Sequence, residues 1–239
     1  MRMAEPAIVT TENAEALAQH VAGWLGDLAV ASTGRFAIAL SGGSTPKRLY
    51  EILAQEPHKS RFPWSRTHLF WGDERHVPAT DARSNQRMTR EALLDHVPIP
   101  PQNIHAVPVG ATPQEDALQY QQDMQTYYGD MELDMARPLF DVVLLGLGEN
   151  GHTASLFPDT PALEEDVAWV APVTTGVPEP RLTLTYPAIA CSRNVAFLVA
   201  GASKAPVLKL VWGGDRTQPA TRVTSIGKIT WFIDEAAAA

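Results

Sequence analysis

Short runs rich in apolar residues alternate along this chain with longer stretches in which apolar positions recur every three or four residues. The runs FAIAL (36–40), THLFW (67–71), a segment over 140–145, one near 168–173, RLTLT (181–185), NVAFLVA (194–200) and one near 229–233 have the length and composition of strands. Val142-Val143-Leu144-Leu145 has no polar alternation, as expected of a strand buried on both faces. Helical spacing fills the gaps. Over 12–32, Ala14, Leu17, Ala18, Val21, Leu25 and Leu28 share one face, with Thr11 as the cap and Glu12 and Glu15 in the first turn. A helix opens at Pro46 and another covers 84–96; PIPPQN then forces an irregular connection before a brief strand, IHAVP. Thr112-Pro113-Gln114-Glu115 is a capping box, and its helix carries Ala117, Tyr120, Met124 and Tyr127 on one stripe. A last helix spans 203–212, and Ala236–Ala239 reads as a frayed end.

Strands alternating with helices predict an α/β fold: a mostly parallel, doubly wound, Rossmann-like open sheet with helices on both faces. No internal repeat, low-complexity tract or linker divides the sequence, so residues 1–239 read as a single domain.

Composition narrows the function classes. A net charge of −8 argues against a general nucleic-acid binder, yet a few local arginines can still dominate a cleft and hold an anionic small molecule. Cys191 is the only cysteine, which excludes an intrachain disulfide and a cysteine-rich metal site. The first residues lack the apolar core of a signal peptide, and no run has the length to span a bilayer. The expectation is a cytoplasmic protein with neither membrane nor nucleic acid as partner.

Four polar clusters sit where strands end. The run 140–158 passes from a strand into Gly146, Gly148 and Gly151 and then His152, Thr153 and Ser155. Its Gly146–Gly151 string matches G-x-G-x-x-G, but Pro158 and Pro161 cut off any following helix after about a turn and a half, and Glu164 and Glu165 fall too early for the ribose-binding acid; a dinucleotide site is rejected. Ser41-Gly42-Gly43-Ser44-Thr45-Pro46 offers amides, hydroxyls and a helix N-terminus to an anion, without the lysine of a Walker loop or the pattern of a nucleophile elbow. In Gly72-Asp73-Glu74-Arg75-His76, adjacent side chains do not converge on one metal; Arg75 is expected to face an anion, with a carboxylate holding its guanidinium. Lys204 follows the strand 194–200, and Arg181 opens RLTLT; with Arg75 they could neutralise a phosphate. His20, His58, His68, His96 and His105 show no partner pattern.

Taken together, SGGSTP, WGDERHVP with SNQRM, GLGENGHTASLFP, RLTLTYPAI and GASKAPVL resemble the successive blocks of the 6-phosphogluconolactonase family, in order, from about Phe36 to Leu210. A wider group of similar fold includes glucosamine-6-phosphate deaminases and sugar-phosphate sensors. The resemblance implies hydrolysis of 6-phospho-D-glucono-1,5-lactone to 6-phosphogluconate, in the oxidative pentose phosphate pathway, with no metal or organic cofactor. It implies His152 as general base, an imidazole being suited to deprotonating the attacking water. Ser44, Thr45, Arg75 and Lys204 would surround the phosphate and sugar, and Gly42 and Gly43 would shape that turn. Asp73, Gly148, Asn150, Gly151 and Arg181 complete the expected binding set, and backbone amides of the glycine turns would stabilise the oxyanion. The partner is a small sugar-phosphate lactone; the oligomeric state, monomer or small homo-oligomer, stays open.

One position departs from the family: Asn150 stands where an aspartate usually precedes the Gly-His pair. An amide still hydrogen-bonds but carries no charge, and with the other blocks intact the expectation is a working enzyme. Two alternatives follow from the wider group. A glucosamine-6-phosphate deaminase would release ammonia, and a non-catalytic sensor would bind 6-phosphogluconate without turnover.

Overall fold

The computed structural model describes residues 6–239. Its strands are β1 (Ala7–Thr11), β2 (Phe36–Leu40), β3 (Thr67–Trp71), β4 (Asp73–Arg75), β5 (Val142–Leu145), β6 (Val170–Val173), β7 (Arg181–Leu184), β8 (Asn194–Val199) and β9 (Lys228–Asp234). Its helices are α1 (Ala14–Ala31), α2 (Ser44–Leu53), α3 (His58–Arg61), α4 (Asn85–Thr89), α5 (Pro113–Tyr128), α6 (Tyr186–Ala190), α7 (Ala205–Trp212) and α8 (Glu235–Ala238). None of them is long and apolar enough to cross a membrane.

Six strands form one sheet in the order β1-β9-β8-β5-β2-β3, every neighbouring pair parallel. All residues of β2 and β5 are buried, because helices cover both faces of the sheet's centre, as their unbroken apolar runs require. From β2 the chain steps to β3 on one side; β5 later takes the other side of β2. The connections leaving β2 and β5 therefore diverge, and a crevice opens between them at the carboxyl ends of the strands.

Several elements differ from the sequence reading for physical reasons. The segments near 168–173 and 181–185 do not join the parallel sheet; β6 and β7 pair antiparallel with β4 in a separate three-stranded sheet, order β4-β7-β6. Gly72 links the two sheets, its N–H donating to Leu40 O at 2.7 Å and its carbonyl accepting from Leu184 N at 2.8 Å. Strand β1 is mostly exposed and so has no apolar run to announce it. Asn13, not Thr11, caps α1 by accepting from Ala16 N at 2.9 Å, while Thr11 ends β1. Helix α2 opens at Ser44, two residues before Pro46. The helix predicted over 84–96 is α4 followed by a π-helical turn, Arg90–Leu94, and IHAVP contributes only a bridge from Ile104 to Leu69. The terminal alanines form the capped turn α8, with Asp234 accepting from Ala237 N at 2.8 Å. The capping box at Thr112–Glu115 forms as read.

The carboxylate of Glu74 secures the small sheet. It is wholly buried and accepts from Arg75 N (2.8 Å), Asn85 N (2.8 Å), Gln86 N (2.7 Å) and Ser84 Oγ (3.2 Å). Burial pushes its pKa up against the pull of these amides. Truncation would strand the amides without an acceptor, so Glu74→Ala is expected to lower the unfolding free energy by about 3 kcal/mol, read from the midpoint of urea denaturation.

Candidate active site

Beyond β2 the chain runs through Ser41, Gly42 and Gly43 directly into α2. Tyr50, in the second turn of that helix and fully buried, reaches back, its hydroxyl donating to Ser41 O at 2.8 Å and accepting from Ser41 N at 3.0 Å. Gly43 adopts φ +103°, a conformation a side chain would strain, and no side chain caps the helix that follows. The N-terminus of α2 at Ser44 and Thr45 thus presents the positive end of its dipole to the crevice.

Beyond β5 the chain closes a tight loop: Gly148 N donates to His152 O at 2.8 Å and Gly151 N to Gly148 O at 2.9 Å. A Cβ on Gly148 would overlap the His152 ring, so glycine is what lets the imidazole fold back over its own loop. On its other side the ring stacks on Phe157, centroids 4.3 Å apart. Asn150 Oδ1 lies 3.3 Å from His152 N and 2.5 Å from His152 Nδ1. A backbone N–H can only donate, so the atom facing it is the amide oxygen, and Nδ1 must carry its proton toward the same acceptor. In the neutral ring Nε2 then holds the free lone pair.

The cations come from the small sheet and from the start of α7. Arg75 and Arg181 stand directly opposite one another in the β4–β7 register. Arg75 Nη1 donates to Arg83 O at 2.6 Å, and Arg181 Nη2 pairs with Glu179 at 2.9 Å. The expectation that a carboxylate holds Arg75 is therefore corrected: a backbone carbonyl does so, and the carboxylate belongs to Arg181. The Nε atoms of both arginines are buried without a hydrogen-bond partner. Lys204 has no carboxylate within ion-pair distance among the described residues. The neighbouring acids and histidine of β4 disperse, Asp73 to Ser155 Oγ at 2.6 Å, Glu74 to the 84–86 turn, and His76 to Asp116 at 2.8 Å.

One cavity of about 270 Å³ collects these groups. Of the residues expected from the sequence, Gly42, Gly43, Ser44, Thr45, Asp73, Arg75, Gly148, His152, Arg181 and Lys204 line it. Asn150 and Gly151 do not reach its wall: Asn150 stands behind the imidazole, and Gly151 turns toward Gln218, its carbonyl accepting from Ala220 N at 3.0 Å. The walls also include Ser41, Pro46, Gly146, Leu147, Thr153 and Ala154, which lie within the clusters read from the sequence without being assigned a role, and Asn85, which is not singled out there. The signal for Asn85 is its place in SNQRM; its side chain fills the space a Cβ on Gly42 would need. Burial holds the His152 pKa down to about 4; Asp73 pulls it up, and Arg181, Lys204 and Arg75 push it down. The free imidazole is neutral at pH 7. A neutral imidazole thus shares a small cavity with three cations and a helix N-terminus, chemistry suited to a dianion at one end and a proton at the other.

The chain is similar to known proteins along most of its length. The family model for glucosamine-6-phosphate isomerases/6-phosphogluconolactonase matches residues 10–231. The chain is 44% identical to the 6-phosphogluconolactonase of Nostoc sp., over 89% of this chain and 88% of that one, and 39% identical to that of Mycobacterium leprae, over 88% and 87%. The crystal structure of 6-phosphogluconolactonase from Thermotoga maritima superposes with a TM-score of 0.84 at 28% identity, covering 97% of this chain and all of that one. That from Trypanosoma cruzi gives a TM-score of 0.84 at 30% identity, over 99% and 97%. The chain belongs to the glucosamine-6-phosphate isomerase/6-phosphogluconolactonase family.

Proposed function

We propose that this chain hydrolyses 6-phospho-D-glucono-1,5-lactone to 6-phosphogluconate, the lactone-opening step of the oxidative pentose phosphate pathway, with His152 as the general base. The observation that carries the reading is one cavity holding an imidazole of fixed tautomer beside Arg75, Arg181 and Lys204. The 44%-identical relatives named 6-phosphogluconolactonase support the choice of substrate.

In this mechanism the phosphate sits on the arginines, Lys204 and the N-terminus of α2, which orients the ring without touching the reacting carbon. Nε2 of His152 takes a proton from water as the water oxygen bonds to the lactone carbonyl carbon. Backbone amides of the glycine turns stabilise the resulting oxyanion. Collapse breaks the bond from that carbon to the ring oxygen, which receives the proton back from the imidazolium. The product is the open-chain acid. Asn150 holds Nδ1 throughout, and Asp73, fixed by Ser155, lies on the wall as the one carboxylate that favours the transient imidazolium.

The primary test supplies freshly made lactone together with 6-phosphogluconate dehydrogenase and compares the rate with spontaneous opening; no acceleration would refute the reading. Ammonia release from glucosamine 6-phosphate, the deaminase outcome, is expected to be absent. His152→Ala should lower kcat by about 10²–10⁴-fold while leaving KM nearly unchanged, measured in the same assay.

The acid limb of the kcat/KM profile for glucono-1,5-lactone, which has no phosphate of its own to titrate at about pH 6, gives an independent check, because it reports the free enzyme. The active form of the base is neutral, so kcat/KM is full above the His152 pKa and falls as pH drops through about 4, rather than near the ordinary histidine value. A pH-stat reads this directly. Asn150→Asp places a charge against Nδ1–H, stabilises the imidazolium and should move that limb upward by about one pH unit. An unchanged limb would mean that residue 150 does not contact the base in solution.

A further inference from the structure

We propose that the anion-binding cations also set the strength of the base, so that a phosphate dianion seated on them activates His152 and a free phosphite dianion switches on hydrolysis of a lactone that carries no phosphate. The proposal rests on the lactonase reading and adds to it a regulatory role for the phosphate, beyond holding the ring in place.

The geometry supplies the coupling. The arginine forks are fixed in advance, Arg75 by the Arg83 carbonyl and Arg181 by Glu179, while each keeps a buried Nε without a partner. An anion entering the cavity meets guanidinium groups that are already held in place. Arg181 and His152 share a surface: the guanidinium carbon of Arg181 lies 5.2 Å from the Phe157 ring centroid, and the imidazole stacks on that same ring at 4.3 Å. Both groups are thus held near one half-buried, low-dielectric spot where charges are poorly screened.

The charges facing His152 are Asp73 and Arg75 from β4, Arg181 from β7 and Lys204 from the turn before α7. Its own loop contributes the neutral amide of Asn150. With the cavity empty, three cations oppose protonation of the imidazole and one carboxylate favours it. A dianion on the cations offsets two of their charges, so protonation becomes easier and the ring a stronger acceptor. The base is weak while no ligand is bound and strengthens when the phosphate end is occupied.

The test uses glucono-1,5-lactone, which lacks the phosphate, with the intact protein and increasing phosphite. The His152→Ala variant run in parallel subtracts catalysis by the buffer anion. Saturable activation of kcat/KM by about tenfold or more is expected, a part of the 10²–10⁴-fold or so that a well-matched base supplies. Proton NMR of the imidazoles should show the His152 pKa rising by about one pH unit or more at saturating phosphite or 6-phosphogluconate. In Arg181→Gln that pKa should start higher in the free protein and rise less on adding phosphite; an arginine that only held the fold would leave the rise intact. Activation that never saturates, or phosphite that competes with the phosphorylated lactone yet moves neither the rate nor the His152 titration, overturns the proposal. Failure of the lactonase reading would look different: no turnover of the phosphorylated lactone, with the NMR titration still reporting whether anion and imidazole are coupled.

Discussion

Two arginines facing each other across an antiparallel pair are the constraint on which the site depends. Like charges in direct register repel, and a short strand pair cannot offset this through its own few hydrogen bonds. Around Arg75 and Arg181 the fold supplies what the pair lacks. Glu74 ties the β4 backbone to the 84–86 turn through buried amides, Glu179 takes one side of Arg181, and Arg83 offers Arg75 a carbonyl. None of these partners satisfies the buried Nε atoms. A protein with a net charge of −8 keeps a cationic cavity, because Glu74 and Glu179 are tied up in other contacts and Asp73 is the one carboxylate on its wall.

The position of that cavity follows from strand order. Because β3 and β5 flank β2 on opposite sides, the turns after β2 and β5 separate and leave a crevice between them. The turn after β2 brings a helix N-terminus, and the turn after β5 brings the imidazole. The continuation of β3 through Gly72 brings β4 with Asp73 and Arg75. Arg181 arrives only through the antiparallel sheet that β4 begins. Lys204 arrives from the end of β8. The two sheets act as one scaffold through Gly72, which bonds to Leu40 of one and Leu184 of the other.

The sequence made the parallel sheet legible because each buried strand there is a compact apolar run with a helix-forming stretch after it. It also made the candidate residues legible one at a time, since small, polar and titratable residues stand where strands stop. What it hid was pairing. The register that sets Arg75 against Arg181 joins segments far apart in the chain, and nothing in DER or RLTL specifies it. The role of Asn85 is hidden for the same reason: its side chain fills the room left by the missing Cβ of Gly42, a relation visible only after folding. The cap of α1 is ambiguous in the sequence because Thr11 and Asn13 are both good cap residues, and only the pairing of β1 with β9 shows that Thr11 is still in a strand.

Asn150 brings these threads together at one atom. Fixing the imidazole requires only an acceptor for Nδ1–H, and the amide oxygen meets that need while bound to the His152 backbone N–H. A carboxylate at the same place would do more, because its charge would stabilise the imidazolium whether or not the cavity was filled. The amide leaves the charge balance around the ring to Asp73 and the three cations. Of those groups, the cations are the ones a phosphate can reach. In the proposed mechanism, orientation and basicity are therefore controlled from opposite sides of the same ring: the loop behind it fixes the tautomer, and the ligand in front of it sets the proton affinity.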